Sequence, residues 1–152
     1  MIPKTISARG RVISLSQPLV MGIVNTTPDS FYKQSRVSHT DIVLERVETM
    51  LAEGATIIDI GGASTRPGAE PVTVSQEIDR VIPAIEAIAK HYPSAIISID
   101  TFHAPVAKEA VAAGAHVIND VSGGRLDPNM HATVAALAVP YILMHSRGTS
   151  QN

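Results

Sequence analysis

Thr56-Ile57-Ile58-Asp59-Ile60-Gly61-Gly62-Ala63-Ser64-Thr65-Arg66-Pro67-Gly68 opens as an aliphatic run and ends in glycines, hydroxyls, a guanidinium and a proline. A run of this kind, unbroken apart from one carboxylate, reads as a strand buried on both faces, the pattern of a parallel sheet, whereas a strand with one wet face would alternate. The polar cluster that follows then falls at the carboxyl end of the strand, where parallel α/β architectures bind their ligands.

Four more aliphatic runs repeat the arrangement: Leu19-Val20-Met21-Gly22-Ile23-Val24, Ala95-Ile96-Ile97-Ser98-Ile99, His116-Val117-Ile118 and Pro140-Tyr141-Ile142-Leu143-Met144. Helical spacing fills the intervals. Val43, Val47, Met50 and Leu51 form a face that ends at Gly54, the expected C-terminal cap. Thr73-Val74-Ser75-Gln76 has the form of a capping box, and Ile78, Val81, Ile82, Ile85 and Ile88 follow on one face. Pro83 interrupts that face and predicts a kink or a later helix start. A third helix is expected from near Pro105 to Gly114, and Asp127-Pro128 reads as the cap and first residue of a fourth. Strand and helix alternate throughout, which implies right-handed crossovers and a parallel sheet. Ahead of them, Ile6 to Ile13 alternates around Gly10 and reads as a small hairpin.

The chain has 152 residues, 45% of them hydrophobic, which suffices for one core and gives no sign of a second domain. Twelve basic and fourteen acidic residues leave a formal charge of −2. No basic field points to nucleic acid or to an anionic membrane, and small-molecule chemistry is the expectation. Cysteine is absent, which excludes disulfides and thiolate metal sites and fits a reducing cytoplasm. No segment approaches the roughly 18 apolar residues needed to span a bilayer, and the N-terminus carries no signal-like run, so a soluble cytoplasmic protein is expected.

The strand ends concentrate the polar residues. Asn25-Thr26-Thr27-Pro28-Asp29-Ser30-Phe31 follows the first run, Asp100 ends the third, Asn119-Asp120 the fourth and His145-Ser146-Arg147-Gly148 the fifth. Each alone reads as a turn or a helix cap, because Asn and Asp side chains bond nearby backbone readily. Five at one rim of a parallel sheet converge, and such a rim suits an anion-binding catalytic face. Gly61-Gly62 with Ser64, Thr65 and Arg66 offers backbone N–H groups, hydroxyls and a guanidinium for phosphate. Asn25 and Asp29 supply oxygens of the kind that hold magnesium. Asp100 and Asn119 suit the edge of a nitrogen heterocycle, with a turn role still open. His145 is more simply a structural residue than a general base. Asp59, inside an aliphatic strand, has to be either an orienter of its neighbours or half of a buried network.

Met21 to Phe31 is similar to the first signature of the dihydropteroate synthases, and Asp59 to Ala69 resembles the second. Ser98-Ile99-Asp100-Thr101, Ile118 to Gly124 and Met144 to Thr149 follow in family order. The resemblance implies a (β/α)8 barrel that joins 6-hydroxymethyl-7,8-dihydropterin diphosphate to 4-aminobenzoate, releasing diphosphate and making 7,8-dihydropteroate. It implies ionisation of the pterin diphosphate to a methylene carbocation, with magnesium and donor groups stabilising the departing diphosphate. By position, Asn25 would bind magnesium and diphosphate, and Thr65 the diphosphate. Asp100 and Asn119 would hold the pterin ring, and Met144 would be a further substrate-binding residue. Asp29 and Phe31 from one closing loop, with Ser64, Arg66 and Pro67 from the other, would form the aminobenzoate pocket where sulfonamides compete. A homodimer is the assembly that the resemblance suggests.

Two loops depart from the family pattern. Ser146 stands where a methionine is common, and Phe31 runs into Tyr32-Lys33-Gln34 instead of Asp-Gly-Gly. Length departs further, since a closed barrel takes eight strands and about 250 residues. The expectation is therefore an incomplete barrel of about five parallel strands preceded by a hairpin, with residues 1–152 the N-terminal part of a single pterin-binding barrel domain and inactive alone. Two alternatives remain open: a pterin-binding methyltransferase of the same fold, which would have no diphosphate to hold, and a non-catalytic module that pairs its raw sheet edges.

Overall fold

The structure, a computed structural model, describes residues 4–27, 39–63 and 71–145. Strands β1 (Thr5–Ala8) and β2 (Arg11–Ser14) pair antiparallel. Arg9 and Gly10 between them both take positive φ, 49° and 80°, as a tight hairpin turn requires. Five parallel strands follow: β3 (Met21–Asn25), β4 (Ile57–Gly61), β5 (Ile96–Asp100), β6 (Val117–Asp120) and β7 (Tyr141–Leu143). Between them run α1 (His39–Ala52), α2 (Val74–His91), α3 (Ala104–Ala113) and α4 (Met130–Leu137).

The strands lie in sequence order, β3-β4-β5-β6-β7. An order without reversal, joined by crossovers of one hand, keeps every helix on the same side, which is the winding of a barrel and not of a doubly wound sheet. Burial agrees. Val24, Ile58, Ile60, Ile97, Ile99 and Ile118 pack in the main core with Val43 and Val47 of α1, Val81, Ile85 and Ile88 of α2 and Val106 and Ala110 of α3. On the opposite face Ile57, Ile96 and Val117 pack against Ala8 and Ile13 of the hairpin. The hairpin therefore closes the floor under one end of the sheet, and Arg11 fastens it there through the carbonyls of Pro93, Ser94 and Ala95.

Local chemistry sets the helix ends. The capping box at α2 is present in both directions between Thr73 and Gln76. Gly54 (φ 104°) ends α1 with Ala55 N–H bonded to Met50 O and its own N–H to Leu51 O, the paired bonds of a Schellman turn, and Gly114 does the same for α3. Two expectations are corrected. Pro83 does not delay α2, which starts at Val74. Pro83 and Asp79 are both exposed, so water can reach the Asp79 carbonyl that the proline leaves without a helical donor. Asp127 does not cap α4, which begins at Met130 with Asn129 at its N-cap. Its carboxylate instead accepts from the N–H of Ala104, at the start of α3, and of Asn129.

Candidate active site at the carboxyl ends of the strands

Register places the polar residues in rows. Asn25 is paired with Gly61, Gly61 with Asp100, Asp100 with Asn119, and Asn119 with Ile142. Because side chains alternate along a strand, this row shares the face opposite the helices. Two residues further down, Ile23, Asp59, Ser98 and Val117 make the next row, and below them Met21, Ile57 and Ile96 meet the hairpin. The inner face thus grades from an apolar floor to a polar rim.

Gly61 keeps the rim open. A Cβ there would stand 3.4 Å from Asn25 Oδ1 and 3.6 Å from Asp100 Oδ2, so the two oxygens flank a gap that any side chain would fill. Magnesium retains several waters and takes few protein oxygens, so an amide oxygen beside this cradle suits an ion shared with a phosphate. Among the described residues no three His, Cys, Asp or Glu side chains cluster as metal ligands.

The carboxylates are electrostatically loaded. Burial, then Asp59, Glu77 and Asp120, push the Asp100 carboxyl up to about 7. Asp59 is 3% exposed and accepts from Asn119 Nδ2 at 2.9 Å. Burial raises its pKa, and the Ser98 hydroxyl and the Asn119 amide oppose the rise. Ser98 faces Asp59 across the register, yet Ser98 Oγ and Asp59 Oδ1 reach no full hydrogen-bond geometry with any described residue. Asp120 points to the helix side, where it binds Ser122 N, Gly124 N and the Tyr141 hydroxyl and shapes the turn after β6.

Of the residues expected at the site, Asn25, Asp100 and Asn119 come together in one row. Met144 is exposed one residue past the end of β7, the edge strand of the described sheet, with its N–H on Asp120 O. His145 is exposed beside it. Asp29, Phe31, Ser64, Thr65, Arg66 and Pro67 lie outside the described residues. A cavity of about 610 Å³ between the hairpin and β7, lined by Ile6, Leu19, Ile57, Val117 and Ile142 among others, contains none of the candidate polar residues and belongs to the apolar floor.

Ser98 and Glu77 escaped the reading of the sequence. Ser98 is the polar residue two before Asp100 and so on the same face, a two-residue period that could have singled it out. Glu77 lies four residues before Val81, on the buried face of α2, and that spacing was its signal.

The family model described as "Pterin binding enzyme" matches residues 21–152. The folic acid synthesis protein fol1 of Pneumocystis carinii is 52% identical over 133 residues, covering 88% of this chain and 18% of that protein. The dihydropteroate synthase of Bacillus subtilis is 51% identical over 129 residues, 85% of this chain and 45% of that protein. Among solved structures, Xanthomonas albilineans dihydropteroate synthase with 4-aminobenzoic acid superposes with a TM-score of 0.89 at 43% identity, covering 95% of this chain and 52% of that one. The chain therefore spans about half or less of the length of these relatives.

Proposed function

The chain belongs to the pterin-binding enzymes, and from that premise we propose that it is the N-terminal part of a single barrel domain and supplies half of a dihydropteroate synthase site. The reaction would join 6-hydroxymethyl-7,8-dihydropterin diphosphate to 4-aminobenzoate. The methylene C–O bond breaks with its electron pair leaving on diphosphate, the arylamine nitrogen forms the new C–N bond, and that nitrogen loses a proton. The observation that carries this reading is the row Asn25, Gly61, Asp100 and Asn119, which sets an amide oxygen, an open backbone and two heterocycle-binding side chains side by side.

Asp100 and Asn119 would hold the pterin edge over the apolar floor, with Met144 at its border. A carboxyl that titrates near neutrality suits a ring rich in N–H groups, because binding to those donors favours its ionised form. Asn25 would hold magnesium and diphosphate at the Gly61 cradle. Magnesium, when bound, would neutralise charge on the leaving diphosphate. Thr65 would add a hydroxyl there, while Asp29, Phe31, Ser64, Arg66 and Pro67 would enclose the aminobenzoate. Catalysis of this kind needs no acid or base from the chain and works by orientation and charge stabilisation. The net charge of −2 and a chain in which no described helix is long and apolar enough to cross a membrane agree with small-molecule substrates.

Isothermal calorimetry of the folded chain with the pterin diphosphate and magnesium tests the reading. Heat of binding that Asp100→Ala abolishes is the expected result. A cooperatively melting chain that releases no heat would overturn it.

A further inference from the structure

Asn119 can orient its amide in two ways, and Asp59 decides between them. The carboxylate beneath it accepts hydrogen bonds and donates none. Nδ2 stands 2.9 Å from Asp59 Oδ2. The reversed amide would set Oδ1 against a carboxylate oxygen at that distance, two acceptors in a site where Asp59 is 3% and Ser98 0% exposed and water cannot screen them. The described residues offer Asn119 Oδ1 no donor, so the orientation is imposed from below and the carbonyl side is left for whatever lies above.

We propose that Asp59 is a positioning residue for substrate binding: by engaging Nδ2 it presents Asn119 Oδ1 as a fixed acceptor, so that this point of the site selects an N–H donor on the bound heterocycle. The selection rests on the pterin reading above, whereas the orientation itself belongs to the unliganded protein. Asp59 touches no substrate in this account and acts through Asn119. The burial of Asp59 inside an aliphatic strand finds its reason here, since a carboxylate at this depth is costly unless its bonds do something that an apolar residue could not. Ser98 from β5 and Asn119 from β6 face it, and its charge is felt by Asp100, whose carboxyl also feels the charges of Glu77 of α2 and Asp120 of β6 from the helix side of the sheet.

The test uses Asp59→Asn, nearly equal in volume, whose own amide can either donate or accept and so permits both orientations of Asn119. Ser98→Ala is the control, removing a buried polar neighbour without touching Asn119. In the unliganded protein, the Nδ2 protons of Asn119 should show a downfield, exchange-protected nuclear magnetic resonance signal. That signal should be lost in Asp59→Asn and kept in Ser98→Ala. The affinity for pterin diphosphate should fall roughly tenfold in Asp59→Asn, the loss of one well-oriented polar contact. In the wild type the same protons should move in step with the Asp59 carboxyl carbon as it titrates, a readout that survives if the variant fails to fold. Unchanged Asn119 signals in Asp59→Asn, or signals indifferent to the Asp59 titration, would overturn the proposal. These signals are read without ligand, so a wild type that shows them and binds no pterin diphosphate counts against the pterin reading alone.

Discussion

The carboxylate of Glu77, 1% exposed in the first turn of α2, accepts a hydrogen bond from Nδ1 of His103 at 2.7 Å, tying the start of α2 to the N-cap of α3. A carboxylate can only accept, so the tautomer of His103 is set with its proton on Nδ1. The bond joins two of the loops that carry the rim, because Thr101 and Phe102 link Asp100 to His103, while Gly62 lies so near Glu77 that an added Cβ would stand 2.9 Å from Glu77 Cγ. His103→Ala leaves the buried carboxylate without its side-chain partner and should cost about 2 kcal/mol. Glu77→Gln keeps an acceptor and should cost about half that. Urea midpoints measure both, and equal losses would show that the pair does not act as described.

Two glycines, Gly22 within β3 and Gly62 just past the end of β4, make a matched pair of opposite outcome. A Cβ at Gly22 would meet Met50 Sδ at 2.7 Å, the mobile end of a thioether side chain that can turn aside. One at Gly62 would meet Val81 Cγ1 at 2.8 Å and the backbone oxygen of Glu77 at 3.2 Å, neither of which can yield without moving α2. Gly62→Ala should therefore lose about 2 kcal/mol by overpacking, and Gly22→Ala well under about 1 kcal/mol. It should also weaken ligand binding, since Gly62 leads into the Ser64 to Pro67 segment and its carbonyl accepts from Arg80. The reverse order of stability in denaturant would contradict this packing.

Interactions close in sequence were the legible ones. Five aliphatic runs became five strands because such a run is a pattern that needs no knowledge of the partner. Strands β4, β5 and β6 are buried along most of their length, whereas Ile23 of β3 and Ile142 and Leu143 of β7 are exposed at the edges of the described sheet. Thr73 and Gln76 could be read as a capping box because both ends of the bond lie within one turn. The rim residues Asn25, Asp100 and Asn119 were found by position at strand ends, and the parallel register then brought them into a row. What failed was long in sequence or dependent on exposure. Asp127 looked like the cap of α4, yet its bond to Ala104 spans 23 residues. Pro83 left room for a later start to α2 because its solvent position could not be known from spacing alone.

That misread aspartate gives a prediction of its own. Asp127 is held below the usual carboxylate range chiefly by the backbone N–H of Ala104, then by that of Asn129. A depressed folded-state value adds stability that is complete above the ordinary value of 3.8 and is lost as the pH falls from there through the folded value. Asp127→Ala should cost about 1 kcal/mol near neutrality, the size of a lost N-cap, with α3 the element that frays. Thermal melts of the variant and the wild type should converge at acid pH. A constant gap across the range would mean that packing, and not the charged cap, carries the effect.

Asp100 behaves with the opposite sign. Burial first, and then the charges of Asp59, Glu77 and Asp120, raise its carboxyl from 3.8 to about 7. Between those two values the folded state binds the proton that the unfolded chain has already released, so folding stability falls as the pH rises through this window and levels off above 7. Asp100→Asn removes the titration while keeping shape and polarity. The variant should melt at a higher temperature than the wild type at pH 8, and the gap should narrow as the pH is lowered towards 4. The same substitution should abolish pterin binding, because the amide cannot become the anion that gathers N–H donors. Stability gained together with binding lost, from one carboxyl, is the signature of a strained group kept for its chemistry. A variant less stable than the wild type at pH 8 would show instead that the carboxylate is satisfied where it stands.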